Sequence, residues 1–142
     1  MATQLTPDSS GRISSEPAAT KAKLTRKNFA NADEVRDFPL GKVELLNFDG
    51  AVVGRFTLQP GWRWTQSVRP IAKTDNCEAA HFQYHISGTL RIKMKDGSEV
   101  DCKAGDISSV PPGHDAWVVG NEPVVVVDFK GMGNFAKEPH TH

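Results

Sequence analysis

Apolar residues are sparse and unpatterned at the start of the chain, then alternate with polar ones through most of the rest. Residues 1–27 hold only Leu5, Ile13 and Leu24 as large apolar side chains, among Ser, Thr, Ala and Pro. Such a stretch cannot bury enough surface to offset its ordering entropy alone. It predicts a flexible tail, the alternative being an arm that orders against a partner subunit. One short helix is expected over 31–38, where Asn31 or Asp33 could cap the first turn and Pro39 ends it.

From there strand follows strand. Residues 42–47 and 52–58 form a first pair around Gly50, and Pro60-Gly61 breaks the run. His81–Ser87 and Thr89–Met94 read as successive strands bent at Gly88. Asp96-Gly97 is a strong two-residue hairpin turn leading into Glu99–Cys102. Turns at 104–106, 111–113 and 120–123 then separate strands at Ile107–Val110, 116–119 and 124–129. Strands this closely spaced predict a β-sandwich or closed barrel.

Length and composition narrow this picture. The 142 residues suit one domain, and Lys+Arg 17 balance Asp+Glu 17. A net charge of zero provides no general field for nucleic acid or an anionic membrane, so neither is expected as a partner. No apolar run has the length of a membrane span, and the polar first twenty residues lack the apolar core of a secretory signal. A cytoplasmic address is the expectation. Cys77 and Cys102 are too few for a disulfide framework and are expected as free thiols.

The segment from Gly61 to Asn121 resembles the two motifs of the cupin superfamily. In the second motif, Gly105, Pro111 and Gly113 stand at their places, Ala116 occupies the histidine position and Gly120 the asparagine position, with Asn121 one step late. In the first, Gly61 and Gly88 fit the two ends. Counting inward puts Ser67 and Arg69 on the two histidine positions and His81 on the glutamate position. Eleven residues separate Arg69 from His81 where three or four are usual, an insertion that a loop accommodates cheaply. The stretches Pro60-Gly-Trp-Arg-Trp64, His81-Phe-Gln-Tyr-His85 and Pro112-Gly-His-Asp-Ala-Trp117 are similar to those of small single-domain bacterial cupins with degenerate metal-binding motifs. The resemblance implies an all-β cupin jelly-roll barrel over 28–135, flanked by an N-terminal tail (1–27) and a C-terminal tail (136–142). It also implies a homodimer.

A typical cupin holds its metal with three histidines and one carboxylate. Here Ser67 is a poor ligand, Arg69 cannot deprotonate and Ala116 offers nothing, so the usual site is expected to be absent. Two function classes follow. The first is a metal-free binding or sensing barrel whose pocket is formed by Trp64, Ser67, Arg69, His81, Gln83, His85, Ala116 and Trp117. Its ligand would be a small organic molecule, and an anionic one if Arg69 reaches it with its planar fork. The second is a metal-dependent enzyme, dioxygenase- or isomerase-like, with a rearranged site around His81 that recruits Cys77, with Asp75 and Gln83 as further candidates. Zn, Fe, Mn or Ni would suit such donors. No catalytic residue can be assigned from sequence.

The plainer alternatives are specific too. Arg69 could pair with Asp75 or Glu78, and His81 and Gln83 could be hydrogen-bonded polar residues lining a wet cavity. His85, about 13 Å along the strand from His81, is too far to share an ion with it and reads as a core histidine. Trp62, Trp64 and Trp117 could stack on a ligand or cap the barrel. His114 and Asp115 read as a solvated turn at the rim, and His140 and His142 as exposed tail.

Overall fold

A computed structural model describes residues 23–133 and 135–137. The expectations for residues 1–22 and for His140 and His142 lie outside the described residues. Among the described residues nine strands run in order: β1 (Glu34–Phe38), β2 (Gly41–Phe48), β3 (Ala51–Leu58), β4 (His81–Ser87), β5 (Thr89–Met94), β6 (Glu99–Cys102), β7 (Ile107–Val110), β8 (His114–Val119) and β9 (Val124–Asp128). They form a six-stranded sheet, β1-β2-β3-β9-β4-β7, and a three-stranded sheet, β6-β5-β8. Every strand pairing is antiparallel. No helix among the described residues is long and apolar enough to cross a membrane.

The alternation of side chains explains the core. On β9 Val124 and Val126 are buried while Val125 and Val127 are half-buried, and on β2 and β3 Val43, Leu45, Phe56 and Leu58 turn inward. They meet Leu90, Ile92 and Val118 of the second sheet in one cluster. Burial of such side chains stabilises by roughly 1.5–3 kcal/mol each. The chain returns over this core after β9, where Met132 and Phe135 are buried. Arg36 on β1 holds that return by donating to the carbonyls of Met132 (3.1 Å), Gly133 (3.3 Å) and Phe135 (2.7 Å).

Three sequence expectations need correction. The helix expected over 31–38 is a 3₁₀ turn at Phe29–Asn31 followed by β1. Asn28, not Asn31 or Asp33, caps the turn, its Oδ1 accepting from the Ala30 amide at 2.8 Å. Pairing of Glu34 through Phe38 with β2 satisfies more backbone groups than one helical turn would, so tertiary contact overrides the local cap. Second, β8 begins at His114 rather than at Ala116, which moves His114 and Asp115 from the rim into the sheet. Third, the segment between β3 and β4 is not a plain loop: it contains two short helices, α1 (Trp64–Ser67) and α2 (Arg69–Ala72).

Candidate metal centre and its cavity

On β4, His81, Gln83 and His85 are buried while Phe82 and Tyr84 are half exposed, as the period of a strand requires. The inward series of β9 ends on Asp128, which is fully buried. Its Oδ1 accepts from the amides of Phe82 (3.1 Å) and Lys130 (3.0 Å), and its Oδ2 accepts from Nδ1 of His81. That bond fixes the imidazole and leaves Nε2 as the nitrogen facing the interior.

Cys77 reaches the same place from the segment before β4. Its amide donates to the His114 carbonyl (2.8 Å), while the amides of Gly113 (2.7 Å) and His114 (3.3 Å) donate to its own carbonyl. Cys77 and His114 are thereby direct antiparallel partners, so their side chains lie on one face. His114 Nδ1–H donates to the Pro111 carbonyl at 2.7 Å, which assigns the proton to Nδ1 and turns Nε2 away from the turn. Cys77, His81 and His114 are all buried, and their ligand atoms lie within 4.8 Å of one another. The group could hold a metal ion.

The spacing fits such a role. Tetrahedral zinc with Zn–S near 2.3 Å and Zn–N near 2.05 Å sets sulfur and nitrogen about 3.6 Å apart. Cys77 Sγ lies 3.6 Å from His81 Nε2. Burial pushes the Cys77 thiol up, but its hydrogen bonds with His114 and His81 outweigh it and leave the thiol lowered to about 7. Burial likewise disfavours charge on His81, but the bonds to Asp128 and Cys77 prevail and raise it to about 9. The centre is therefore predisposed to a thiolate, which is the form that binds metal.

A small cavity of about 40 Å³ adjoins the centre. His81, Gln83 and His114 are its polar lining; Phe56, Trp62, Trp64, Ile92, Ala116 and Phe135 are among its apolar lining. Four residues expected in the pocket are not on its wall. Ser67 is buried on α1, outside the cavity. Arg69 stands on α2 with its side chain 49% exposed, paired with Asp75 at 3.2 Å, because the helical segment turns it outward. Trp117 is half-buried under the Arg63 guanidinium, 4.3 Å from the ring centre. His85 is buried further along β4, bonded to Ser108 Oγ at 2.8 Å. Asp75 is exposed and takes no part in the centre.

Sequence reasoning missed two site residues, His114 and Asp128, and a signal existed for both. His114 lies two residues before Ala116, the position of the usual histidine, and so shares its inward face once the strand is extended. Asp128 continues the inward period of Val124 and Val126. His114 was masked by treating the start of its strand as a turn; Asp128 lay inside the strand expected over 124–129 but its inward position was not followed to the site.

The sequence matches no family model and no curated relative. Solved structures do match. A Rhizobium leguminosarum protein of unknown function aligns with a TM-score of 0.57 at 18% identity, covering 83% of this chain and 99% of that one. The polyketide cyclase RemF from Streptomyces resistomycificus aligns at 0.55 and 15% identity, covering 76% and 79%. An oxalate decarboxylase from Lactobacillus farciminis aligns at 0.51 and 18% identity over 69% of this chain, which spans only 30% of the decarboxylase. The decarboxylase and the cyclase are cupin proteins. At these identities the likeness is one of fold, and the fold of this chain is the cupin jelly roll.

Proposed function

We propose that this domain binds a transition-metal ion between Cys77 Sγ and the Nε2 atoms of His81 and His114, and presents it to a small molecule in the adjoining cavity. The observation that carries this reading is that both imidazoles have Nδ1 committed to an acceptor, Asp128 and the Pro111 carbonyl, with a thiol between them. Outer partners of this kind fix the tautomer and orientation of metal-ligating histidines. Three protein ligands leave a further position for water or ligand, the arrangement of a catalytic rather than a closed structural site. That favours the metal-dependent class over the metal-free barrel. A bound ion would act as a Lewis acid on an oxygen in the cavity. Of Zn, Fe, Mn and Ni, a thiolate with two imidazoles suits Zn best and Mn least.

The ligand is read as apolar rather than as an anion held by arginine, because Arg69 is committed to Asp75 outside the cavity. A reducing, cytoplasmic compartment suits two free buried thiols. For the homodimer, the exposed Phe82, Tyr84, Ile86 and Ile107 on β4 and β7 offer an apolar surface, and sedimentation is its test.

Metal analysis of untagged protein tests the central reading. We expect stoichiometric metal in the wild type and its loss in both Cys77→Ser and His114→Ala. Cobalt substitution should give a thiolate-to-metal absorption band that Cys77→Ser removes. Protein that takes up neither ion stoichiometrically would overturn the proposal.

A further inference from the structure

One wall of the small cavity beside the centre comes from the C-terminal return. Phe135 lines it there, its ring 5.8 Å from that of His81 and edge-on to that of Phe56 at 4.7 Å. Three separate features of the chain fix this placement. Gly131 takes a positive φ (+79°) in the turn after β9, and a Cβ at that position would run into the Ala80 carbonyl oxygen. Gly54 on β3 leaves a notch for the fully buried Met132, whose Sδ would lie 2.5 Å from a Cβ placed there. Arg36 then clips the carbonyls of Met132, Gly133 and Phe135, and its own guanidinium is held by both carboxylate oxygens of Glu34, at 2.7 and 3.2 Å. A tail without a task at the cavity needs none of these.

The consequence is steric. A cavity of about 40 Å³ has room for about one water, or for a ligand of about two or three heavy atoms. Phe56, Ile92 and Val126 on its other sides stand on paired strands and are part of the core. Phe135 stands outside the strands, in ring contact with a candidate metal ligand. We propose that Phe135 is the specificity-determining residue of the metal centre, limiting its open position to ligands of about two or three heavy atoms, with Arg36 as a positioning residue acting through it. This rests on the metal reading and deepens it by giving the size class of the ligand.

The test uses two probes with the same metal-binding head and different bulk, formate and benzoate. Each is titrated into cobalt-loaded protein and followed by the visible absorption of the ion. In the wild type, formate should bind about tenfold or more tighter than benzoate. Phe135→Ala opens space approaching the roughly 150 Å³ that admits a benzene ring, so benzoate should gain about tenfold or more while formate changes by less than about threefold. Phe135→Leu keeps the return packed should the alanine variant fold poorly, and it should move the ratio the same way by less. Arg36→Gln should also shift the ratio toward benzoate, which a purely structural role would not do. Equal affinities of the two probes in the wild type, or a ratio that both Phe135 variants leave unchanged, overturns the proposal and leaves the metal centre standing. A wild type that takes up no cobalt overturns the metal reading instead. The size limit is then read in metal-free protein from the imidazole resonances of His81 and His114, which xenon should perturb in the wild type and benzene only in Phe135→Ala. Benzene entering both proteins, or neither, overturns the limit.

Discussion

His81 and His85 lie four residues apart on the inward face of one strand, and both are almost completely buried, yet their surroundings make them different groups. His81 faces a buried carboxylate and a thiol, and is raised to about 9. His85 faces a serine hydroxyl, and burial lowers it although Asp106 and Asp128 oppose the shift. Its Nδ1 has no hydrogen-bond partner. The thiols divide in the same way: Cys77 is lowered, whereas burial pushes Cys102 up despite a hydrogen bond to Ser108. One end of the inward face of β4 is thus organised for charge and the other for neutral packing. Residue type and burial are equal at the two ends; the partners on neighbouring strands decide the chemistry.

The largest expected effect comes from removing the carboxylate. Asp128→Ala leaves a buried imidazole and two amides without their acceptor and should destabilise by about 3–5 kcal/mol. Ser108→Ala, the corresponding cut at the His85 end, should cost about 1 kcal/mol. Urea unfolding of the two variants measures the gap, and equal costs would erase the distinction between the ends. The milder Asp128→Asn keeps the shape and should weaken metal binding about 10- to 100-fold, read by competition with a chelator.

The two histidines should also give opposite pH dependences in metal-free protein. His81 titrates near 6.5 when unfolded and about 9 when folded, so its stabilisation is complete below 6.5 and is lost as pH rises through about 9. His85 is lowered on folding. Its contribution is therefore present above 6.5 and lost as pH falls through its depressed folded value. Imidazole resonances followed through a pH titration, with His85→Gln for assignment, should place the two midpoints on opposite sides of 6.5.

A smaller signal should separate the thiols. Thiolate absorbance of the metal-free protein should rise with a midpoint of about 7 and vanish in Cys77→Ser but persist in Cys102→Ser. The smallest effect is expected at Arg69, whose exposed pair with Asp75 is solvent-screened. Arg69→Ala should keep stability within about 0.5 kcal/mol and leave metal content unchanged. A loss of metal or of probe binding there would show that α2 reaches the cavity after all.

Much of this molecule was legible in the chain. Period-two alternation and turn residues located eight of the nine strands to within two residues, and the same alternation placed His81 and Gln83 inward. Glycine spacing pointed to the cupin fold because those glycines serve the backbone: Gly88, Gly105 and Gly113 all have positive φ. Motif counting was a poorer guide to chemistry. It carried Ser67 and Arg69 into the pocket, but two short helices replace the expected loop and turn Arg69 outward.

Local sequence determines which face each residue of a strand presents, because the pleat has a fixed period. It therefore determined that His81 and Gln83 are inward while Phe82 and Tyr84 face out. What it could not determine is which inward residues meet. Asp128 comes to His81 through the pairing of β4 with β9, across 47 positions of chain, and His114 comes to Cys77 through a single bridge to β8. Those contacts depend on strand order and register between distant segments, which are set by burial of the whole core rather than by any local pattern. The centre exists only where these two pairings coincide, and only the tertiary structure brings them together.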